Sequence, residues 1–315
     1  MTVTAVRAAA RPARAAGTSL RPRRLRGDRR TAAGLLAPLL LGFSLFTVFP
    51  VLYSLVMSLY DWPVFGSRTF LGIGNYAALL QDRSFRTVLG NTALFVAVYV
   101  PANLAISLGI SLWLRTPGIR GRNLYRVLFF LPAVTPVVAN AVIWQLLFQP
   151  GGVAASLWTA VLGSPAPNFL GEAGWARAIV VLMVLWQGIG YNTLILSAGL
   201  DAMPEDVLEA SRIDGAGAVR RLRHIVLPLI SPTLFFAMVT TLIGAFQVFS
   251  EPFILTDGGP GDATESLVTL LFRTGFRQYA MGEASAIAWI VFLLIIVVTA
   301  VQFTVQRRWV HYDAS

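Results

Sequence analysis

Charged residues along this chain fall in a few short intervals. Between them lie six uncharged windows: 31–60, 87–114, 127–171, 178–200, 225–250 and 284–306. A helix needs about 20 apolar residues to cross the hydrocarbon core of a bilayer, and every window meets that length. The pattern therefore predicts an all-α membrane protein with six transmembrane helices, at about 34–59, 88–114, 125–148, 177–200, 225–250 and 284–306. The third window exceeds one span. Gln149-Pro150-Gly151-Gly152 should close its helix near residue 148, and the following VAASLWTAVLG is too short to cross alone, so a short interfacial helix or loop is expected there. Prolines inside the windows, among them Pro101, Pro132, Pro136, Pro228 and Pro232, free backbone carbonyls and permit kinks.

The most polar connection runs from Asp201 to Pro228. It holds nine Asp, Glu and Arg residues plus His224. At hydrocarbon depth each charge would cost about 2.5–3.5 kcal/mol, so the segment must sit in water at a membrane face. It also reads as structured. Pro204, Glu205 and Asp206 suit a helix first turn, where a missing N–H is tolerated and acids complement the dipole. Gly215 and Gly217 should end that helix. Met203, Val207 and Ala210 give it a weakly apolar face beside an acidic flank, the composition of a docking element for a soluble partner. Arg220, Arg221, Arg223 and His224 are expected to face lipid headgroups.

Composition agrees with the membrane class: 56% of the 315 residues are hydrophobic and 13% charged, with mean hydropathy +0.68. All 25 basic residues are Arg, and there is no Cys. Lysine Schiff bases, a P-loop lysine, thiol catalysis and thiolate metal sites are thereby excluded. The net charge of +10 is concentrated in residues 1–30, which carry nine Arg and one Asp. Those residues are expected to be a disordered basic tail ahead of a membrane domain spanning 31–310. No aromatic or folded reader accompanies the tail, so nucleic-acid binding is not expected. With the N-terminus inside, nineteen Arg fall on the cytoplasmic side and six (Arg68, Arg83, Arg86, Arg177, Arg273, Arg277) outside. That bias places both termini and the 201–224 loop in the cytoplasm, with segments 61–86, 149–177 and 251–283 on the outer face.

No predicted span carries Asp, Glu, Arg or His at mid-depth, whereas ion-coupled carriers usually keep an ionisable group there. The sequence also lacks GxxxxGK[ST], HExxH, GxSxG and paired carboxylates, so neither ATP hydrolysis nor other catalysis is expected of this chain. What remains in the spans is neutral: Gln187 and Tyr191, four apart on one helical face, with Trp186 and Asn192 beside them, and Thr240, Thr241 and Gln247 in the fifth span. Amides and hydroxyls beside aromatic rings suit a neutral polyhydroxylated solute. The competing reading is interhelical hydrogen bonding, worth about 0.6 kcal/mol per bond on average.

Glu209-Ala210-Ser211, then Asp214-Gly215-Ala216, then Ile225-x-Leu227-Pro228 resembles the EAA loop of ABC importer permeases, most closely the carbohydrate-uptake branch with the MalF and glycerol-3-phosphate/sugar permeases. Phe46–Pro50, Asn75-Tyr76, Asn91-Thr92, Leu131–Pro136 and Thr256–Pro260 support the likeness. Ser211 stands where the motif has a second Ala. The resemblance implies a type I importer permease fold and a cytoplasmic coupling helix seated in a separate ATPase subunit, with Glu209, Ala210, Asp214 and Gly215 as coupling positions. It further implies a pair of ATP-binding subunits, a second permease, an extracytoplasmic solute-binding protein, and no cofactor on this chain, since ATP is bound by the partner. A sugar would be bound between spans four and five, near Gln187, Gly188, Tyr191, Thr241 and Gln247. Glycerol-3-phosphate import and a stand-alone carrier stay open as alternatives.

Overall fold

The computed structural model describes residues 28–116 and 118–310. The expected tail thus lies outside the described residues except for its end, because helix α1 (Asp28–Phe43) already begins at Asp28. The chain divides into two units, 1–52 and 53–315. The first contains α1, a π turn at Ser44–Val48 and the start of α2 (Phe49–Ser58).

In the second unit, β1 (Tyr60–Asp61) pairs antiparallel with β2 (Thr69–Phe70), a small ribbon that an all-helical reading did not include. Asn75, in α3 (Gly74–Gln81), fixes this connection by donating to the Ser58 and Tyr60 carbonyls, both at 2.8 Å. The scaffold is a pair of long helices, α4 (Arg83–Arg115) and α8 (Ala173–Asp201). Helix α4 has 33 residues and is about 50 Å long at 1.5 Å per residue. Asp82 caps it, accepting from the Ser84 and Phe85 amides at 3.1 Å. Small polar residues let α4 approach α8 closely: Ser107 donates to the Ile189 carbonyl at 3.1 Å, and Ser111 to the Thr193 carbonyl at 3.0 Å. Hydroxyl bonds to a neighbouring backbone are a favoured device between helices in lipid, where burial of apolar surface no longer drives association.

Two expected single spans are broken. The third forms α5 (Arg122–Val134) and α6 (Val137–Phe148), separated at Thr135-Pro136. Proline disfavours helical geometry in the residue before it, and Thr135 is extended, with ψ 136. The segment after Gly152 is helical: α7 (Val153–Leu162) packs Trp158 edge-on against Phe169 and Trp175 at 5.8 and 5.5 Å. The fifth span bends by 73° between Ala218–Leu229 and Ser231–Phe246. It comprises α10 (Ala218–Arg221), a π turn, α11 (Leu227–Leu229) and α12 (Ser231–Phe246). Pro228 and Pro232 flank the bend, and neither can supply the amide a continuous helix would use. Helix α12 stops at Phe246 and α13 (Ser250–Thr256) starts afresh, so the span does not run to 250 as one helix.

The chain finishes with α14 (Leu267–Phe272), a π turn and α15 (Met281–Gln306). Among the described residues five helices are long and apolar enough to cross a membrane, and six if the bent pair is one span. Apolar side chains also cover the outside of these helices. On α15, Phe292, Leu293, Val297 and Val301 are exposed, as a lipid-facing surface requires.

Candidate functional site

Three regions gather the residues singled out by sequence. The first is a cavity of about 530 Å³ where α4, α5, α6, α8, α12 and α13 meet. Gln187, Gly188 and Tyr191 line it from α8, and Gln247 from the short connection after α12. Gly188 is required by close approach: a Cβ there would collide with the Tyr99 hydroxyl and lie 2.9 Å from Asn103 Nδ2. Gln187 Oε1 is buried without a hydrogen-bond partner among the described residues. An unpaired buried carbonyl costs about 1–3 kcal/mol, so this amide is set to accept a hydroxyl or amide from a solute.

Thr241 is placed differently. It is not among the lining residues; its hydroxyl accepts from Asn192 Nδ2 at 2.7 Å, and the same Asn192 amide donates to Asn103 Oδ1. All three side chains are buried. One helical turn of register separates a lining position from this bridge, and in the structure Thr241 braces α12 against α8 and α4. Thr241 and Asn192 hydrogen-bond between helices, while Gln187 and Tyr191 line the cavity.

Sequence inspection of the spans also missed Tyr99, Ser250 and Glu251 as lining residues. Tyr99 lies two residues before Pro101 on α4 and carried no pattern of its own. Glu251 bounded the fifth window and so read as the edge of a span. The break after Phe246 turns it into the cavity, half-buried on the first turn of α13. Burial pushes its carboxyl above the usual glutamate range, only partly offset by a backbone hydrogen bond.

The second region is the 201–224 loop. Helix α9 (Glu205–Ile213) presents Glu205, Asp206, Glu209 and Ala210 to solvent, followed by exposed Asp214 and Gly215. Gly215 sits at φ +70, and the Ala216 amide reaches back to the Ser211 carbonyl at 3.0 Å. This is a Schellman end, which needs the left-handed conformation glycine adopts freely. The loop holds to the rest of the unit by Met203 and Leu208, which pack with Leu200, Val226 and Ile230. Ser211 is buried, as a small residue in the motif should be. Of the weakly apolar face expected to meet a soluble partner, Val207 and Ala210 are exposed, whereas Met203 is buried and Leu208 is partly covered. Ile213 and Val219 are 87% and 79% exposed. Arg221, expected at lipid headgroups, is only partly exposed and lines a small hollow with Arg115 and Leu208. At the adjoining helix ends, Asp201 pairs with Arg126 at 3.1 Å and Arg122 at 3.6 Å.

The third region is 257–266, a loop folded back on its own helices. Asn91 donates to the Asp262 carbonyl at 2.6 Å, Thr92 accepts from the Leu267 amide at 3.0 Å, and Arg177 donates to the Ala263 carbonyl at 2.8 Å. Arg273 pairs with Glu265 at 2.8 Å and with Asp262 at 3.4 Å. Burial drives the Glu265 carboxyl up to about 7 against the pull of Arg273. Burial also acts to raise Asp262, but hydrogen bonds from Ser84 and Arg273 outweigh it and hold that group below the ordinary carboxylate range.

Long apolar helices, a cavity lined by neutral polar groups and one solvent-facing polar loop fit the class of membrane transport permeases. Residues 104–311 match the family described as "Binding-protein-dependent transport system inner membrane component". The chain belongs to this family. It is 37% identical over 282 residues to the sn-glycerol-3-phosphate transport system permease protein UgpA of Yersinia pestis, covering 89% of this chain and 95% of that protein. It is 30% identical over 277 residues to the lactose transport system permease protein LacF of Rhizobium radiobacter, covering 86% and 92%. A solved bacterial ABC transporter involved in import of the acidic polysaccharide alginate has the same fold, with a TM-score of 0.79 at 19% identity over 90% of this chain and 96% of that one.

Proposed function

We propose that this chain is the transmembrane permease subunit of an ATP-driven, binding-protein-dependent sugar importer of the cytoplasmic membrane. Solute passes through the cavity lined by Gln187, Gly188, Tyr191 and Gln247. A separate pair of ATPase subunits supplies the energy by gripping Glu209, Ala210, Asp214 and Gly215. A second permease completes the path, and an extracytoplasmic solute-binding protein delivers cargo. Arginine placement supports cytoplasmic termini and a cytoplasmic 201–224 loop. The observation that carries the reading is the cavity itself: neutral amide and phenol groups converge there, one of them a buried acceptor without a partner. The LacF relative adds a sugar-transport name to that chemistry.

The likeness to UgpA favours glycerol-3-phosphate as a second reading. Uptake by proteoliposomes containing the complete transporter tests the proposal. Neutral sugar should enter only with ATP and all subunits, and Gln187→Ala should reduce uptake about tenfold, the loss of one well-placed hydrogen bond in a dry site. Flux through the chain alone, without nucleotide, would overturn it in favour of a stand-alone carrier.

A further inference from the structure

The cavity contains one ionisable side chain of low intrinsic pKa, Glu251, and no Arg or His among its lining residues. Arg177 on α8 and Arg273 and Arg277 in segment 251–283 are already engaged. Arg273 pairs with Glu265 and Asp262; Arg177 donates to the Ala263 carbonyl. Arg277 pairs with Asp257 at 2.9 Å and lies over the Phe253 ring, which stacks at 5.0 Å on the Phe249 that lines the cavity. An aromatic pair thus stands between the last arginine and the solute space. Among the described residues Glu251 has no hydrogen-bond or ion-pair partner drawn from another side chain, although its neighbours Ser250 and Gln247 also face the cavity.

We propose that Glu251 sets the charge class of the cargo: its carboxylate accepts the hydroxyls of a neutral sugar and turns away phosphorylated and carboxylated solutes. The proposal rests on the reading that this cavity carries the transported solute. Two oxygens of one carboxylate match two vicinal hydroxyls, and such bonds to an ionised acceptor are roughly twice as strong as neutral ones. An anionic solute meets the same oxygens with like charge in a half-buried site, where screening by water is weak. A protonated Glu251 still offers a phosphate no cation, and the phosphate's own lost hydration goes uncompensated. Gln187 and Gln247 would then orient the ring, while Glu251 discriminates. On this basis the chain differs in cargo class from the glycerol-3-phosphate permease it resembles in sequence.

The test uses the complete transporter in lipid nanodiscs, with binding of D-glucose, D-glucuronate and D-glucosamine followed by ligand-observed NMR. These probes share a ring and differ in one substituent's charge. Wild type should bind glucuronate about tenfold more weakly than glucose, with glucosamine at least equal to glucose, as expected for like and opposite charge at a site of low effective dielectric. In Glu251→Gln, whose amide keeps one acceptor, glucose should bind about threefold more weakly but still measurably, and the glucuronate gap should close to about twofold. A glucuronate gap unchanged in Glu251→Gln, with glucose still bound and still sensitive to Gln187→Ala, would overturn the role of Glu251 alone. Absence of probe binding, or binding untouched by Gln187→Ala, would sink the cavity reading and this proposal with it.

Discussion

The 201–224 and 257–266 loops invite direct comparison. Both are polar, glycine-bearing connections between apolar helices, and both carry residues with positive φ. In 257–266 the chain satisfies its own groups: Ala263, Thr264, Glu265 and Ser266 are buried, and Ser84, Asn91, Thr92 and Arg177 reach across from α4 and α8 to hold them. Among the described residues of 201–224, Met203, Leu208, Ser211 and Leu222 turn inward, while carboxylates and two nearly bare aliphatic residues face solvent. A polar loop that meets its own hydrogen-bonding needs acts as a brace. One that leaves Ile213 and Val219 in water beside Glu209 and Asp214 has the anatomy of an interface core with a charged rim. The difference teaches that the turn chemistry of a loop says where the chain reverses, and the burial of its side chains says whether it serves the fold or a partner.

Removing a cross-brace should expose the contrast most strongly. Arg273→Ala leaves Glu265, only 1% exposed, without its cation. A loss of about 2–3 kcal/mol in stability is expected, below the full cost for a buried pair because Arg273 is partly exposed. Glu209→Ala, at a solvent-facing position, should change stability by less than about 0.5 kcal/mol. Thermal unfolding monitored by tryptophan fluorescence reads both. Equal effects would erase the distinction between the loops.

A smaller effect should follow from pH. Glu265 has a folded-state carboxyl raised to about 7. A raised carboxyl binds its proton more tightly when folded than when unfolded, so its contribution is fully present below the ordinary glutamate range and is lost as pH rises through about 7. The melting temperature should therefore fall between about pH 5 and about pH 8, and the fall should shrink in Glu265→Gln. A Glu265→Gln profile identical to wild type would remove this carboxyl from the account.

How much of this was legible in the sequence varies by element. The apolar windows delimit α4, α8 and α15 because long helices in lipid need little more than length and the absence of charge. Asn75-Tyr76 and Asn91-Thr92 stood out as paired residues, yet their work was invisible until the chain folded: Tyr76 shares a 2.7 Å bond with Ser58, and Asn91 reaches residues more than 170 positions away. The breaks at Thr135 and Ile230 were marked only by prolines, which permit a kink without fixing its angle. The cavity was half legible. Gln187 and Tyr191 share a face by helical spacing, but Glu251 joins them only because α12 ends at Phe246 and the backbone turns before α13. Thr241 shows the converse, a polar residue in a suitable span whose partner lies within the fold.

The central claim is that the 201–224 loop transmits work from a partner ATPase without holding the permease together. Its most direct test is ATP-driven uptake by the reconstituted transporter carrying Glu209→Lys or Gly215→Pro, with subunit co-purification and melting temperature measured alongside. Proline cannot adopt the φ of +70 found at residue 215, so the end of α9 is rebuilt while the transmembrane helices are untouched. The account predicts that uptake and ATPase co-purification collapse in both variants while the permease melts as wild type does. Normal uptake with normal subunit assembly in both would contradict it.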